Sequence, residues 1–287
     1  MVYLLAIGSA LLYGAADFAG GISTRRAGAI PVVLVSQASG LVLLALLLPL
    51  LPAASPSRLD LVWGAVTGLT GGIGVALLYR ALAIGSMAVV APTTAVCAVI
   101  IPVVASLLLG ERPLPIALAG IGLGITSIVL VSRQNAARPV HRDSSRSAGL
   151  PEGLGTALLS GVAIGFFFLA LAQTTEGAGL WPILIARMVS VTLFAIVAVA
   201  ARQSLRMEGR VLALVVLAGA IDMVANALYL LAARQGELSI VVTLSSLYPA
   251  STVVLARLIL GERLNTAQIT GVACALAAIV LIVSGGR

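Results

Sequence analysis

The chain has 287 residues, of which 60% are hydrophobic and 9% charged, against roughly 25% charged in a soluble globular domain. A water-soluble fold of this length cannot hide so much apolar surface, so its solvent must be largely lipid. The net charge of +7 comes from 17 basic residues, all arginine, against 10 acids; no stretch clusters basic with aromatic residues, which excludes a nucleic-acid partner.

A bilayer core about 30 Å thick needs roughly 20 helical residues per crossing, and ten apolar runs meet that length. They are continuously apolar rather than alternating in ten-residue segments, so helices are expected and a closed β-barrel is not. The first run, 2–22, starts at Val2 with no arginine before Arg25. A cleaved signal peptide has a basic start, so this run reads as a retained helix. Ser9, Tyr13 and Asp17 follow there at four-residue steps and share a face. Asp17 stands eight residues before Arg25, about 12 Å along a helix. It either faces a cavity mouth or pairs with an arginine.

The second and third runs are 30–51 and 60–83. The third carries Thr67, Thr70 and Tyr79 around Gly71, Gly72 and Gly74, and small residues of that kind favour close helix contact. The fourth, 87–109, contains Pro92-Thr93-Thr94 and Pro102, and the fifth is 114–132. Proline in a membrane helix frees a carbonyl that nearby hydroxyls can re-satisfy. Such residues line a cavity, gate it, or bend the helix.

Residues 133–152 hold four arginines, His141, two acids and Ser144-Ser145. They read as a flexible polar linker between a first five-helix half, 1–132, and a second, 153–287. The second half has runs at 153–175, 180–201, 210–233, 238–260 and 266–284. Arg187 lies several residues inside the seventh run, where an ion pair or outward snorkelling is favoured over binding a substrate carboxylate. Asp222, in the middle of the eighth, is the deepest acid, and Asn226 and Tyr229 continue its face at i+4 and i+7. A carboxylate in lipid is costly. An acid, an amide and a phenol on one face therefore read as a place to hold an amino group or relay a proton, ahead of a polar seam between helices. The ninth run carries Ser245-Ser246, Tyr248-Pro249 and Ser251-Thr252.

The candidate substrate-binding residues are thus Asp222, Asn226, Tyr229, Thr70, Tyr79, Thr93, Thr94, Ser245, Tyr248, Tyr13 and Asp17. Cys97 and Cys274 lie in apolar runs without Cys or His at ligand spacing, and His141 lies in the linker. No metal and no cofactor is expected.

The halves are related. A shift of 151 residues without a gap places Ser9 on Ser160 and Gly14 on Gly165. The same shift places Thr24, Ala27, Gly28 and Pro31 on Thr175, Ala178, Gly179 and Pro182, and Gly68 on Gly219. Leu107-Leu108-Leu109-Gly110-Glu111-Arg112 falls on Leu258-Ile259-Leu260-Gly261-Glu262-Arg263. Chance apolar similarity explains matched leucines and valines, not in-register turn glycines, prolines and a Leu-Gly-Glu-Arg block. Five helices per repeat send the second half into the membrane from the opposite side. The result is an inverted repeat, with the substrate expected near the midplane between halves.

This layout, together with the Leu-Gly-Glu-Arg block closing helices 4 and 9, resembles the drug/metabolite transporter superfamily. The resemblance is to its EamA-like ten-helix branch, and within that to YddG-like amino-acid exporters. It implies a basket of helices around a central cavity with alternating access. Glu111 and Glu262, at helix ends, read as interfacial capping and pairing residues.

The expected fold is therefore an all-α polytopic membrane protein of ten transmembrane helices in two inverted five-helix repeats around a central cavity. The expected function is a secondary transporter in a bacterial-type inner membrane, acting as a monomer among membrane lipids. It would export small polar metabolites, with amino acids the favoured small-molecule substrate. A nucleotide-sugar or drug carrier of the same fold is the alternative, and an intramembrane enzyme is disfavoured. Connections after odd-numbered helices hold eleven arginines and the other side four. The positive-inside rule then puts both termini outside, whereas the family resemblance implies cytoplasmic termini.

Overall fold

Helices form where the ten apolar runs lie. The computed structural model describes residues 1–108, 114–134, 152–235, 244–245, 247–262 and 266–284. Within them run α1 (Val2–Ala27), α2 (Ala29–Leu47), α3 (Arg58–Ile84), α4 (Met87–Leu108) and α5 (Pro115–Gln134). The second half supplies α6 (Leu154–Ala172), α7 (Trp181–Ala200), α8 (Gly209–Gln235), α9 (Tyr248–Leu260) and α10 (Thr266–Ser284). Single 3-10 turns follow α2 at Leu48–Leu50 and precede α7 at Glu176–Ala178. No strand occurs among the described residues.

The distribution of side chains is that of a protein dissolved in lipid. Leu4, Leu46, Val199 and Leu258 are each more than two-thirds exposed, while Asp17, Gln37, Arg187 and Asn226 are buried. Water would reverse that arrangement. Among the described residues, six helices, α1 to α3 and α6 to α8, are long and apolar enough to cross a membrane. The chain is a multi-pass membrane protein.

Several helix ends differ from the sequence expectation, for local reasons. The first helix runs through Arg25 and Arg26, read above as a connection, and stops at Gly28, whose φ is 78°. Basic side chains in a last turn complement the helix dipole, and glycine enters a positive φ without a Cβ clash. Arg25 also donates to the Leu82 carbonyl at 3.2 Å. The third helix starts two residues early because Ser57 and Asp60 cap it reciprocally, the Asp60 amide donating to Ser57 Oγ at 3.1 Å. The described α9 begins at Tyr248 with Pro249 in its first turn, where a missing N–H leaves no hydrogen bond unmade. The preceding segment 236–243 and the linker from 135 to 151 lie outside the described residues, as does Glu111.

Contacts between helices obey the repeat. The first helix packs on α8, and its counterpart α6 packs on α3, the counterpart of α8. Individual hydrogen bonds obey it as well. Ser9 Oγ donates to the Ala225 carbonyl at 3.0 Å, and Ser160 Oγ, 151 positions on, donates to Gly74, 151 positions before Ala225, at 2.8 Å. Thr94 donates to Ala157 at 3.2 Å and Ser245 to Ala6 at 3.5 Å, again related by 151 in both partners. Helices α5 and α10 pair with each other beside α4.

Alternate connections gather at opposite ends of the bundle. At one end Glu262, after α9, accepts from Ser86 Oγ at 3.0 Å and from the amides of Met87 and Ala88, capping the start of α4. At the other, the Thr175 amide donates to Asp60 at 2.7 Å and the Ser55 amide to the Gly177 carbonyl at 3.2 Å. The Gly28 and Gly179 turns therefore belong to opposite ends. Single cysteines placed there should label with an impermeant reagent from opposite membrane faces; labelling of both from one face would refute the inverted arrangement.

Candidate substrate site

A buried polar cluster forms where α1, α2 and α3 of the first half meet α7, α8 and α9 of the second. Its centre is an ion pair between Arg187 of α7 and Asp222 of α8. The guanidinium also donates to Oε1 of Gln37 in α2, and Ser190, one turn further along α7, donates to the same oxygen at 3.3 Å. Asn226 donates to the Asp222 carbonyl at 2.8 Å and to its carboxylate at 3.3 Å. Arg187 is 7% exposed and Asp222 18%, so the carboxylate keeps the more open side of the pair. Gly40 makes room for it: a Cβ there would stand 3.4 Å from the guanidinium carbon and 3.1 Å from the Gly219 carbonyl oxygen.

Such a pair loses hydration on both ions, and its attraction offsets that loss only when the remaining donors and acceptors are filled. Gln37 and Asn226 do this filling. The two halves of the protein are joined here, since Gln37 belongs to the first repeat and Arg187, Asp222 and Asn226 to the second.

Tyrosines line the neighbouring region. Tyr13 of α1 and Tyr248 of α9 meet edge to face, with centroids 6.5 Å apart and an interplanar angle of 66°. Tyr79 of α3 lies over Gly20 of α1, where a Cβ would fall 2.2 Å from its ring. Asp17, one turn from Gly20 and from Tyr13 on the same helix face, is 9% exposed. It lies within electrostatic range of Asp222, Tyr13, Tyr79 and Tyr248, yet it makes no hydrogen bond or ion pair among the described residues.

The remaining residues singled out in the sequence sit elsewhere or are turned to other partners. Tyr229 packs beside Ala6 and Ala232 and comes within electrostatic range of Tyr13. Thr70 donates to Val66 of its own helix at 2.9 Å. Thr94 and Ser245 bond neighbouring helices as described above. Thr93 is buried in α4. The glycines Gly71, Gly72 and Gly74 are contact points for Phe167, Ser190 and Ile164.

Sequence reading placed Asp222 and Asn226 together but did not single out Gln37 or Ser190. The available signal for Gln37 was a lone amide inside an uncharged 22-residue run. A separate cleft of about 930 Å3, lined by Leu44, Leu48, Leu180, Trp181, Met223 and Ala227 among others, opens between α2, α7 and α8. Its wall is mainly apolar, with Glu176 the charged residue among those that line it.

The EamA-like transporter family matches residues 1–133 and, separately, residues 152–284. Among the solved structures that match, a crystal structure aligns with a TM-score of 0.63 at 18% identity, covering 98% of this chain and 95% of the other; at that identity the likeness speaks to fold. Comparison with curated proteins gives no match. The chain belongs to the EamA-like transporter family, and so to the drug/metabolite transporter superfamily.

Proposed function

We propose that this EamA-like transporter exports small polar metabolites, with amino acids the favoured class, by alternating access at the interface between its two repeats. Arg187, Asp222, Asn226, Tyr13, Tyr79, Tyr248 and Asp17 would face the substrate or hold the groups that do. We further propose a bacterial-type inner membrane as its location and the monomer as its working unit. The observation that carries the reading is a buried charged cluster at membrane depth, built by both repeats. Structural stability alone is better supplied by apolar contacts, because ions in lipid are costly. Joining the halves through polar groups leaves an interface that can be re-made in a second arrangement when a solute replaces one partner.

Proteoliposomes preloaded with unlabelled amino acid should concentrate the labelled form transiently by counterflow. An enzyme would consume the label and a channel would only equilibrate it. Absence of counterflow across a broad panel of amino acids, amines, sugars and nucleotide sugars would defeat the transport reading.

Orientation follows from the arginine bias. External termini and a cytoplasmic 133–152 segment are expected, so a C-terminal green fluorescent reporter should stay dark and a periplasmic reporter should be active. The opposite pattern would show that family resemblance outweighs arginine count here.

A further inference from the structure

Counted as ions, the charged side chains of the cluster do not balance. Among the described residues, the charged side chains of the site are Arg187, Asp222 and Asp17, and the first two neutralise each other. Asp222 has further company in the Asn226 amide. Among the described residues Asp17 has none, although it is only 9% exposed and lies at membrane depth. A lone carboxylate there is among the costliest groups a membrane protein can hold; a proton removes that cost while the site is empty, and a cation that lodges beside the carboxylate removes it when the site is filled.

The surroundings of Asp17 specify what kind of cation. Tyr13 precedes it by one helical turn, and Gly20 follows it by one turn with the Tyr79 ring lying over it. Tyr248 stands edge to face with Tyr13. A carboxylate among aromatic rings suits an organic ammonium, whose charge meets the carboxylate and whose carbon body meets the rings. A metal ion would require several oxygen ligands.

We propose that Asp17, walled by Tyr13, Tyr79 and Tyr248, is the seat of the substrate's ammonium group, and that the transported molecule needs this group but not a carboxylate. The inference rests on the transport reading above and sharpens it. It also moves the amino-group position from Asp222, where sequence spacing put it, to Asp17. A substrate carboxylate has no free cation to meet: reaching Arg187 would displace Asp222 and leave a second uncompensated acid in lipid. An amino acid binds through its ammonium end, and its decarboxylated amine binds at least as well.

The test uses the full-length protein in nanodiscs and three matched trios: leucine, phenylalanine and lysine, each with its decarboxylated amine and its deaminated acid. Binding is read by calorimetry and by ligand-induced thermal shift. The amines should bind at least as tightly as the amino acids, and the deaminated acids of leucine and phenylalanine should not bind. Asp17→Asn keeps the shape and removes the charge. It should weaken the amines about tenfold or more, as expected for loss of a charge-assisted contact, with little change in the unliganded melting temperature. Tyr13→Leu should weaken them severalfold and Tyr13→Phe less, a comparison that stands even if Asp17→Asn fails to fold. Acids binding as tightly as amines, amine affinity surviving in Asp17→Asn, or no binding in any trio would each overturn the proposal. Counterflow of some other solute would then still uphold transport, whereas its absence throughout would overturn both.

Discussion

Replacing Arg187 by methionine is expected to lower stability by about 3–5 kcal/mol, because it leaves a buried carboxylate without its counter-ion. The same change strips Gln37 Oε1 of its guanidinium donor, leaving Ser190 as its remaining partner. Asp222→Asn should also be destabilising, since it leaves the 7%-exposed guanidinium facing a neutral amide. Asp222→Asn keeps the side-chain shape, so its effect is electrostatic, whereas Arg187→Met also withdraws the guanidinium head that Gln37 and Asp222 contact. The discriminating measurement is a double-mutant cycle by unfolding in detergent. Arg187→Met combined with Asp222→Asn removes both charges and should be less harmful than the two single changes added together. Transport should fall in both single variants even after correction for folded protein, because the pair links the repeats. Additive stability effects would mean that the ions do not interact, and full transport by Asp222→Asn would remove the pair from the site.

Much of this fold is legible in the sequence because lipid simplifies the code. Backbone groups in a bilayer must be satisfied within a helix, so each apolar run predicts one element. The repeat is legible because the same contacts recur: Ser9 and Ser160 are matched in sequence and make matched hydrogen bonds. Helix ends are less legible. Arg25 and Arg26 look like a loop until their fit to a helix C-terminus is weighed. The site is legible along a helix and not between helices. Asp222 and Asn226 share a face by spacing alone, but Arg187 is 35 positions from Asp222 and Gln37 is 150 from Arg187. No local pattern predicts such meetings. Hydroxyls are the least legible of all, because Thr70 can turn to its own helix or to a solute by a single rotation about χ1.

Alanine at Gly68 or Gly219 is expected to disrupt assembly strongly. The two positions correspond in the repeat, and each is where two helices touch through backbone. A Cβ on Gly219 of α8 would lie 2.0 Å from the Ser36 carbonyl oxygen and 2.9 Å from the Ser36 Cα of α2. On Gly68 of α3 it would lie 2.3 Å from the Ala186 carbonyl oxygen and 2.7 Å from the Ala186 Cα of α7. A flexible side chain could move aside, but these neighbours are main chain, so whole helices must separate. Overfilling a well-packed interior costs about 1–3 kcal/mol, and rigid backbone neighbours put these sites at the upper end. Separation would also carry the site with it. Ser36 adjoins Gln37, and Ala186 adjoins Arg187, so each wedge enters one residue from the hydrogen bond between Gln37 and Arg187. Transport should therefore fall further than stability does. Gly122 of α5, where an added methyl would meet nothing within 4 Å, supplies the control: Gly122→Ala should be neutral, or stabilising by up to about 1 kcal/mol through helix propensity. Equal melting temperatures for the Gly68, Gly219 and Gly122 variants would refute the close backbone contact and, with it, the account of how the pair is held in place.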